Sequence, residues 1–161
     1  MKPLPVIVLV VSLTLSGCSL GRVANLEKEN KKLKDEISKA KAADYDRQVK
    51  CGHDAAAWFK EHWNGDKDTI LLDYRNHYYK AQNKCIILVE YHFHLDGADW
   101  SNVMAPYDVY ENVKLGHFSS RHKISKPKYD ASETVDDCEV YGTKCETIEE
   151  FNNLVRPYLT D

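Results

Sequence analysis

Between Val23 and Ala40 the apolar positions fall at a 3-4-3-4-3 spacing: Val23, Leu26, Leu33, Ile37 and Ala40, with Asn30 completing the series. Such a spacing is an a/d heptad seam, here flanked by Glu and Lys, and it predicts a helix that packs along a partner helix. Asn30 occupies an a position, where a buried polar residue fixes register at some cost in stability, which favours parallel self-association into a homo-oligomer. After Ala40 the apolar register shifts to Ala42, Tyr45, Val49, Gly52, Ala56, Phe59 and Trp63, with no Pro to interrupt the helix before Asn64-Gly65. One helix is therefore expected to do two things. Its first half faces another copy of the chain, and its second half lays Ala56, Phe59 and Trp63 on a sheet.

That sheet begins with "TILLDYRNHYY" and "KCIILVEYHFHL", two alternating or apolar runs joined by "KAQN", which predicts an antiparallel hairpin. Alternation in the second run places Cys85, Ile87, Val89, Tyr91, Phe93 and Leu95 on the core face and Glu90, His92, His94 and Asp96 on the other. Further short strands are expected in "WSNVM", "YDVYENV" and "LGHFSS", with Pro106 and the glycines marking a bulge, an edge or a turn. Pro127 and a polar stretch then lead to "CEVYGTKC", and Thr147 to Glu150 form a capping box for a last helix carrying Ile148, Phe151, Leu154 and Val155. The expected class is α+β: a coiled-coil stalk helix, then an antiparallel sheet packed with an N-terminal and a C-terminal helix.

Composition divides the chain in the same places. Residues 18–50 hold nine Lys/Arg against six Asp/Glu and no aromatic except Tyr45, so they cannot build a core, and their basic character also suits an anionic membrane surface. Residues 51–161 hold twelve Lys/Arg against nineteen Asp/Glu and nearly all the aromatics. This acidic balance argues against nucleic acid as a partner.

Residues 1–17 read as a secretory signal, because Lys2 supplies a short positive region and "PLPVIVLVVSLTL" an apolar run too short for a normal membrane span. The run ends Leu15-Ser16-Gly17-Cys18, which resembles the lipobox of bacterial lipoproteins. That resemblance covers about twenty residues and implies diacylglyceryl transfer to the Cys18 thiol, cleavage before it and further acylation of the new amino terminus, with palmitate among the expected chains. Two or three acyl chains anchor durably where one holds only reversibly, since each buried methylene contributes about 0.8 kcal/mol. Ser19 rather than Asp after the cysteine implies an outer-membrane, lipid-anchored protein facing the periplasm. The expected division is then signal peptide 1–17, lipid anchor and helical stalk 18–50, and a disulfide-stabilised domain 51–161.

Four cysteines remain beyond Cys18, an even number in an exported chain, and a periplasm is oxidising. Three pairings are possible. Cys138 with Cys145 is favoured because Tyr141-Gly142-Thr143 between them can fold back, and Cys51 with Cys85 because a core-facing strand cysteine should meet the helix covering that face. The absence of C-x-x-C argues for structural bonds rather than redox chemistry.

Chemistry is harder to find. His92 and His94, at i and i+2 on one strand, are weak candidates for a metal site, with Glu90 and Asp96 beside them; a solvated polar face is the reading favoured over it. No G-x-S-x-G and no phosphate-cradling glycine loop occurs, and "SSRH" is too local to make a triad. The aromatic surplus offers a candidate binding surface in Tyr78, Tyr79, Trp100, Tyr107 and Tyr110, with Tyr74 nearby, residue types favoured in recognition and also common on half-buried sheets. The expectation is a non-enzymatic binding or inhibitory module without a cofactor, engaging an unknown periplasmic protein or cell-wall partner. An exclusion or envelope-assembly factor of phage or plasmid origin and a metal-dependent hydrolase are the alternatives. If Cys18 is the anchor, Cys18→Ala should accumulate uncleaved or mislocalised precursor, and labelled fatty acid appearing in that variant would refute the assignment.

Overall fold

The computed structural model describes residues 17–95, 99–125 and 130–160. Most of the signal segment, the Cys18 side chain, Asp96 and Pro127 lie outside the described residues. The chain divides between Ala43 and Asp44 into two units, and helix α1, Gly17–His62, supplies residues to both. The first unit is helical throughout its described part and carries the exposed side chains Val23, Leu26, Leu33 and Ile37. Within it, Lys32 and Glu36 form an i,i+4 pair.

The second unit is α+β. It contains strands β1 (Thr69–Tyr79), β2 (Lys84–His94), β3 (Trp100–Asp108), β4 (Val113–Lys114), β5 (Gly116–Ser125), β6 (Asp130–Val140) and β7 (Thr143–Lys144), then helix α2 (Ile148–Leu159). They form one antiparallel sheet in the order β1-β2-β3-β5-β6-β7, with β4 also paired to β3, so neighbours in sequence are neighbours in space. The expected hairpin is present: β1 and β2 pair from Tyr79 with Lys84 to Thr69 with Phe93, across a single 3-10 turn at Lys80–Gln82. Asn83 closes that turn in the left-handed region, a conformation asparagine tolerates better than most residues.

Of the α1 residues expected on the sheet, Phe59 and Trp63 pack there and Ala56 does not. Cys51, Ala55 and Trp58 are buried against Tyr78, Cys85, Ile87 and Val89, with Phe59 and Trp63 packed at the edge of the cluster. Ala56, Tyr45 and Val49 are exposed instead. A hydrophobicity count misses this face because Gln48 belongs to it. Its amide oxygen accepts the Tyr78 N–H on edge strand β1 at 2.7 Å, supplying a partner to a backbone group that no neighbouring strand reaches.

The opposite face of the sheet carries a second cluster, in which Leu88, Met104, Phe118, Cys138 and Val140 meet Phe151 and Val155 of α2. Ile86 and Leu88 are as fully buried as Ile87 and Val89, so β2 is apolar on both faces over its first half. Thr147 caps α2 as expected, its hydroxyl accepting the Glu150 N–H, while the Glu150 carboxylate accepts the N–H of Glu146 rather than that of Thr147.

Three strand assignments change. "WSNVM" continues through Pro106 to Asp108, and Pro106 sits where β3 changes partner from Phe118 to Lys114, a gap in the ladder that tolerates a missing N–H. "YDVYENV" is not a separate strand, because buried Asp108 turns the chain by accepting the N–H groups of Tyr110 and Glu111 and faces Lys84 Nζ at 3.0 Å. Asn112, also left-handed, then accepts the Trp58 indole N–H at 2.8 Å and ties this turn to α1. The polar stretch before Cys138 is strand β6, overlooked because among the residues with described side chains its buried apolar positions are Cys138 and Val140 at its end. Gly116 permits the approach of β5 to β6: a Cβ there would lie 2.5 Å from the Glu139 carbonyl oxygen.

Both favoured disulfides are present, Cys51–Cys85 and Cys138–Cys145, the latter spanning a two-residue turn in which Tyr141 and Gly142 both have positive φ. Loop-closure entropy grows with the chain enclosed, 34 residues against 7. The chain-entropy relation then assigns about 4 kcal/mol to the first bond and about 2 kcal/mol to the second. Denaturant unfolding should therefore rank Cys51→Ala/Cys85→Ala below Cys138→Ala/Cys145→Ala, and the reverse order would show that helix α1 docks without its covalent tie.

Candidate functional site

The five aromatics proposed from the sequence do not share one surface. Tyr78 is buried beneath α1 and its hydroxyl donates to Asn83 Oδ1 at 2.7 Å. Tyr107 lies between Trp58 and Trp63, and burial pushes its phenol pKa up. Tyr110 is exposed, with the Lys50 ammonium 5.1 Å from its ring. Tyr79 meets Tyr158, which in turn packs on Tyr141, making a tyrosine group that the sequence reading did not assemble. Trp100 alone joins the histidines.

Strand register explains that last grouping. On the sheet face that carries α2, cross-strand neighbours form rows: Leu88 with Pro106, Glu90 with Met104 and Phe118, His92 with Asn102, Ser120 and Val135, and His94 with Trp100, His122 and Glu133. Helix α2 packs on the rows around Leu88, Met104 and Phe118, and of the last two rows only Val135 joins that cluster among the described residues. In those rows the Trp100 ring stacks on His122 with centroids 3.8 Å apart and an interplanar angle of 2°, and His92 leans on its other side at 5.2 Å. His92 and His122 are largely enclosed, and Asn102 and Ser120 are buried. His94 stays exposed at the strand end, beside an open groove of about 690 Å³ that Lys67, Arg121 and Lys123 also line. A second groove of about 300 Å³, lined by Asp73, Arg75, Glu90, Ile148 and Asn152 among others, runs from the start of α2 toward Glu90.

The polar face is thus a packed array of rings rather than a solvated strand surface. Two of its buried atoms lack a hydrogen bond among the described residues: His92 Nε2 and Asn102 Oδ1. Glu90 Oε1 approaches His92 Nε2 to 3.0 Å, but not along a hydrogen-bonding direction. Burying a polar atom without a hydrogen bond costs about 1–3 kcal/mol, and the nearby Glu90 carboxylate offsets part of that cost at His92.

The arrangement lacks the geometry of a charge-relay triad. Ser120 Oγ and Glu133 Oε1 both lie 3.4 Å from the same His122 nitrogen, Nε2, whereas a relay needs the hydroxyl and the carboxylate on opposite ring nitrogens. Ser120 is fully buried as well. Among the described residues no three His, Cys, Asp or Glu side chains converge as metal ligands, and His92 meets Trp100 rather than pairing with His94. The side chains instead supply flat aromatic surface edged by hydrogen-bonding groups and two carboxylates, which suits recognition.

The opposite sheet face carries ion pairs beyond α1. Arg121 holds Asp136 through both carboxylate oxygens, and the His117 ring 2.6 Å from Asp137 holds that carboxyl below its ordinary range. Lys144 lies beside Asp137 and Glu139. Comparison with protein-family models, with curated proteins and with solved structures finds no match for this chain.

Asn102 and Glu133 were missed from the sequence, and Ser120 and His122 in "SSRH" were set aside there, because only the register of four strands brings them beside His92. Alternation along "WSNVM" and "FSSRH" was the available signal. Exposed His94 should tolerate alanine within about 0.5 kcal/mol. His92→Ala should cost more, about 1 kcal/mol, since it strips a ring from Trp100. Neither change should alter the melting temperature in added zinc. A zinc-dependent rise in the wild type that the double variant loses would reveal a metal site.

Proposed function

We propose that the chain is a non-enzymatic binding or inhibitory module carried on a helical coiled-coil stalk and held by lipid at Cys18 in the outer membrane, facing the periplasm. The anchor reading rests on Leu15-Ser16-Gly17-Cys18, and the stalk reading on the heptad seam with its exposed Val23, Leu26, Leu33 and Ile37. One observation supports the binding role: Trp100, His122 and His92 form a stacked group of partly exposed rings on the α2 face of the sheet. A partner that lays an apolar surface on the Trp100–His122 stack would use its partly exposed rings, with the Glu90 and Glu133 carboxylates at the margin for polar contacts. The partner is a periplasmic protein or a cell-wall component, and no cofactor is required.

The test is capture from membrane extract with the intact chain, comparing wild type, Trp100→Ala and His117→Ala. Trp100→Ala should lose the partner while its melting curve stays cooperative, and His117→Ala, on the other face, should retain it. Equal capture by the two variants would move the binding surface elsewhere.

A further inference from the structure

We propose that residues 22–41 form a parallel, in-register coiled coil of two copies of this chain, a partner and geometry that extend the stalk reading above and rest on it. Three independent features of the sequence select this arrangement, and the structure leaves the surface available for it. In the described helix Val23, Leu26, Leu33 and Ile37 are 51%, 58%, 55% and 55% exposed, and Asn30 and Ala40 on the same stripe are also exposed.

The first feature is the choice of apolar residue. With Val23, Asn30 and Ile37 at a and Leu26, Leu33 and Ala40 at d, β-branched residues occupy a and leucines occupy d, the combination that favours two strands over three or four. The second is Asn30. In a parallel pair without stagger it meets its own copy across the axis and satisfies an amide that any shifted register would press against Leu or Ile.

The third feature is charge. The g positions are Arg22, Glu29 and Glu36, and the e positions Glu27, Lys34 and Lys41. In a parallel pair each g residue faces the e residue five positions on in the other helix, giving Arg22 with Glu27, Glu29 with Lys34 and Glu36 with Lys41. All three contacts are attractive, and the two-fold axis repeats each of them. In an antiparallel pair centred between Asn30 and Leu33, g faces g and e faces e, so Glu29 meets Glu29 and Lys34 meets Lys34, while Arg22 meets Glu36 and Glu27 meets Lys41. The parallel pair thus makes six attractive contacts and no repulsive one, the antiparallel pair four attractive and two repulsive, and the charges favour the parallel orientation. Lys32, which pairs with Glu36 within the helix, sits at c and need only release it. The seam ends where the heptad would place Asp44 and Arg47 at a and d; these two pair with each other, and Asp44 also binds Lys80 of the second unit.

The experiment uses the full chain extracted in mild detergent, with Cys18→Ser in every sample, so that a failure of the lipid-anchor reading leaves the result untouched. Under mild oxidation Leu33→Cys should link to its own copy and Asp35→Cys, at f, should not. Sedimentation should give the mass of two chains. Glu29→Lys/Glu36→Lys and Lys34→Glu/Lys41→Glu should each weaken self-association by at least about tenfold, and an equimolar mixture of the two should restore it as a mixed dimer. The proposal fails if Leu33→Cys links no better than Asp35→Cys, or if Leu26→Cys links to Ile37→Cys in preference to itself. It fails equally if the mass is that of one or three chains, or if the mixture associates no better than its components.

Discussion

The bond between Cys51 and Cys85 ties the last turns of α1 to the core face of β2, and the packing of the second unit is arranged around that tie. Once Cys51 is held there, the 3.6-residue period of the helix turns Ala55 and Trp58 onto Ile87 and Val89 and brings Gln48 to the edge of β1. Trp58 then reaches Asn112 in the turn that buried Asp108 organises. The face that results carries Cys51, Ala55 and Trp58 together with Phe59 and Trp63, rather than Ala56.

The sheet is buried unevenly. Helix α1 covers the β1–β3 side of one face, and α2 covers the central rows of the other, where Phe118 and Phe151 meet. What remains uncovered differs in kind between the two faces. On the α1 side the leftover surface holds ion pairs such as Arg121 with Asp136, whose charges are mutually satisfied. On the α2 side it holds the Trp100, His92 and His122 rings over buried Asn102 and Ser120, with Glu90 and Glu133 beside the histidines.

The stalk reverses the relation. Its apolar stripe has no partner within the described chain, and the helix is built of strongly helix-forming Lys, Glu, Ala and Leu residues that need no core to favour the conformation locally. Under the pairing proposed above, its specificity is carried in the identity and charge of a few positions, whereas the fold of the second unit depends on the alignment of distant strands.

The sequence by itself determined the elements whose information is local: the helix of the first unit, the hairpin of β1 and β2, the Thr147 cap with the α2 face of Phe151 and Val155, and the turn that lets Cys138 meet Cys145. Each depends on residues within a few positions of one another, so periodicity, capping and turn chemistry suffice. Tertiary structure alone decided which side of α1 is buried, that the polar run before Cys138 is a strand, and that Trp100, His92 and His122 form one array while Tyr78 and Tyr107 enter the core. Those outcomes rest on strand register and on polar partners such as Gln48 and Asn112, and a one-residue slip in register would move every side chain of a strand to the other face. Such pairings join residues from separate parts of the chain, so hydropathy along it carries no record of them.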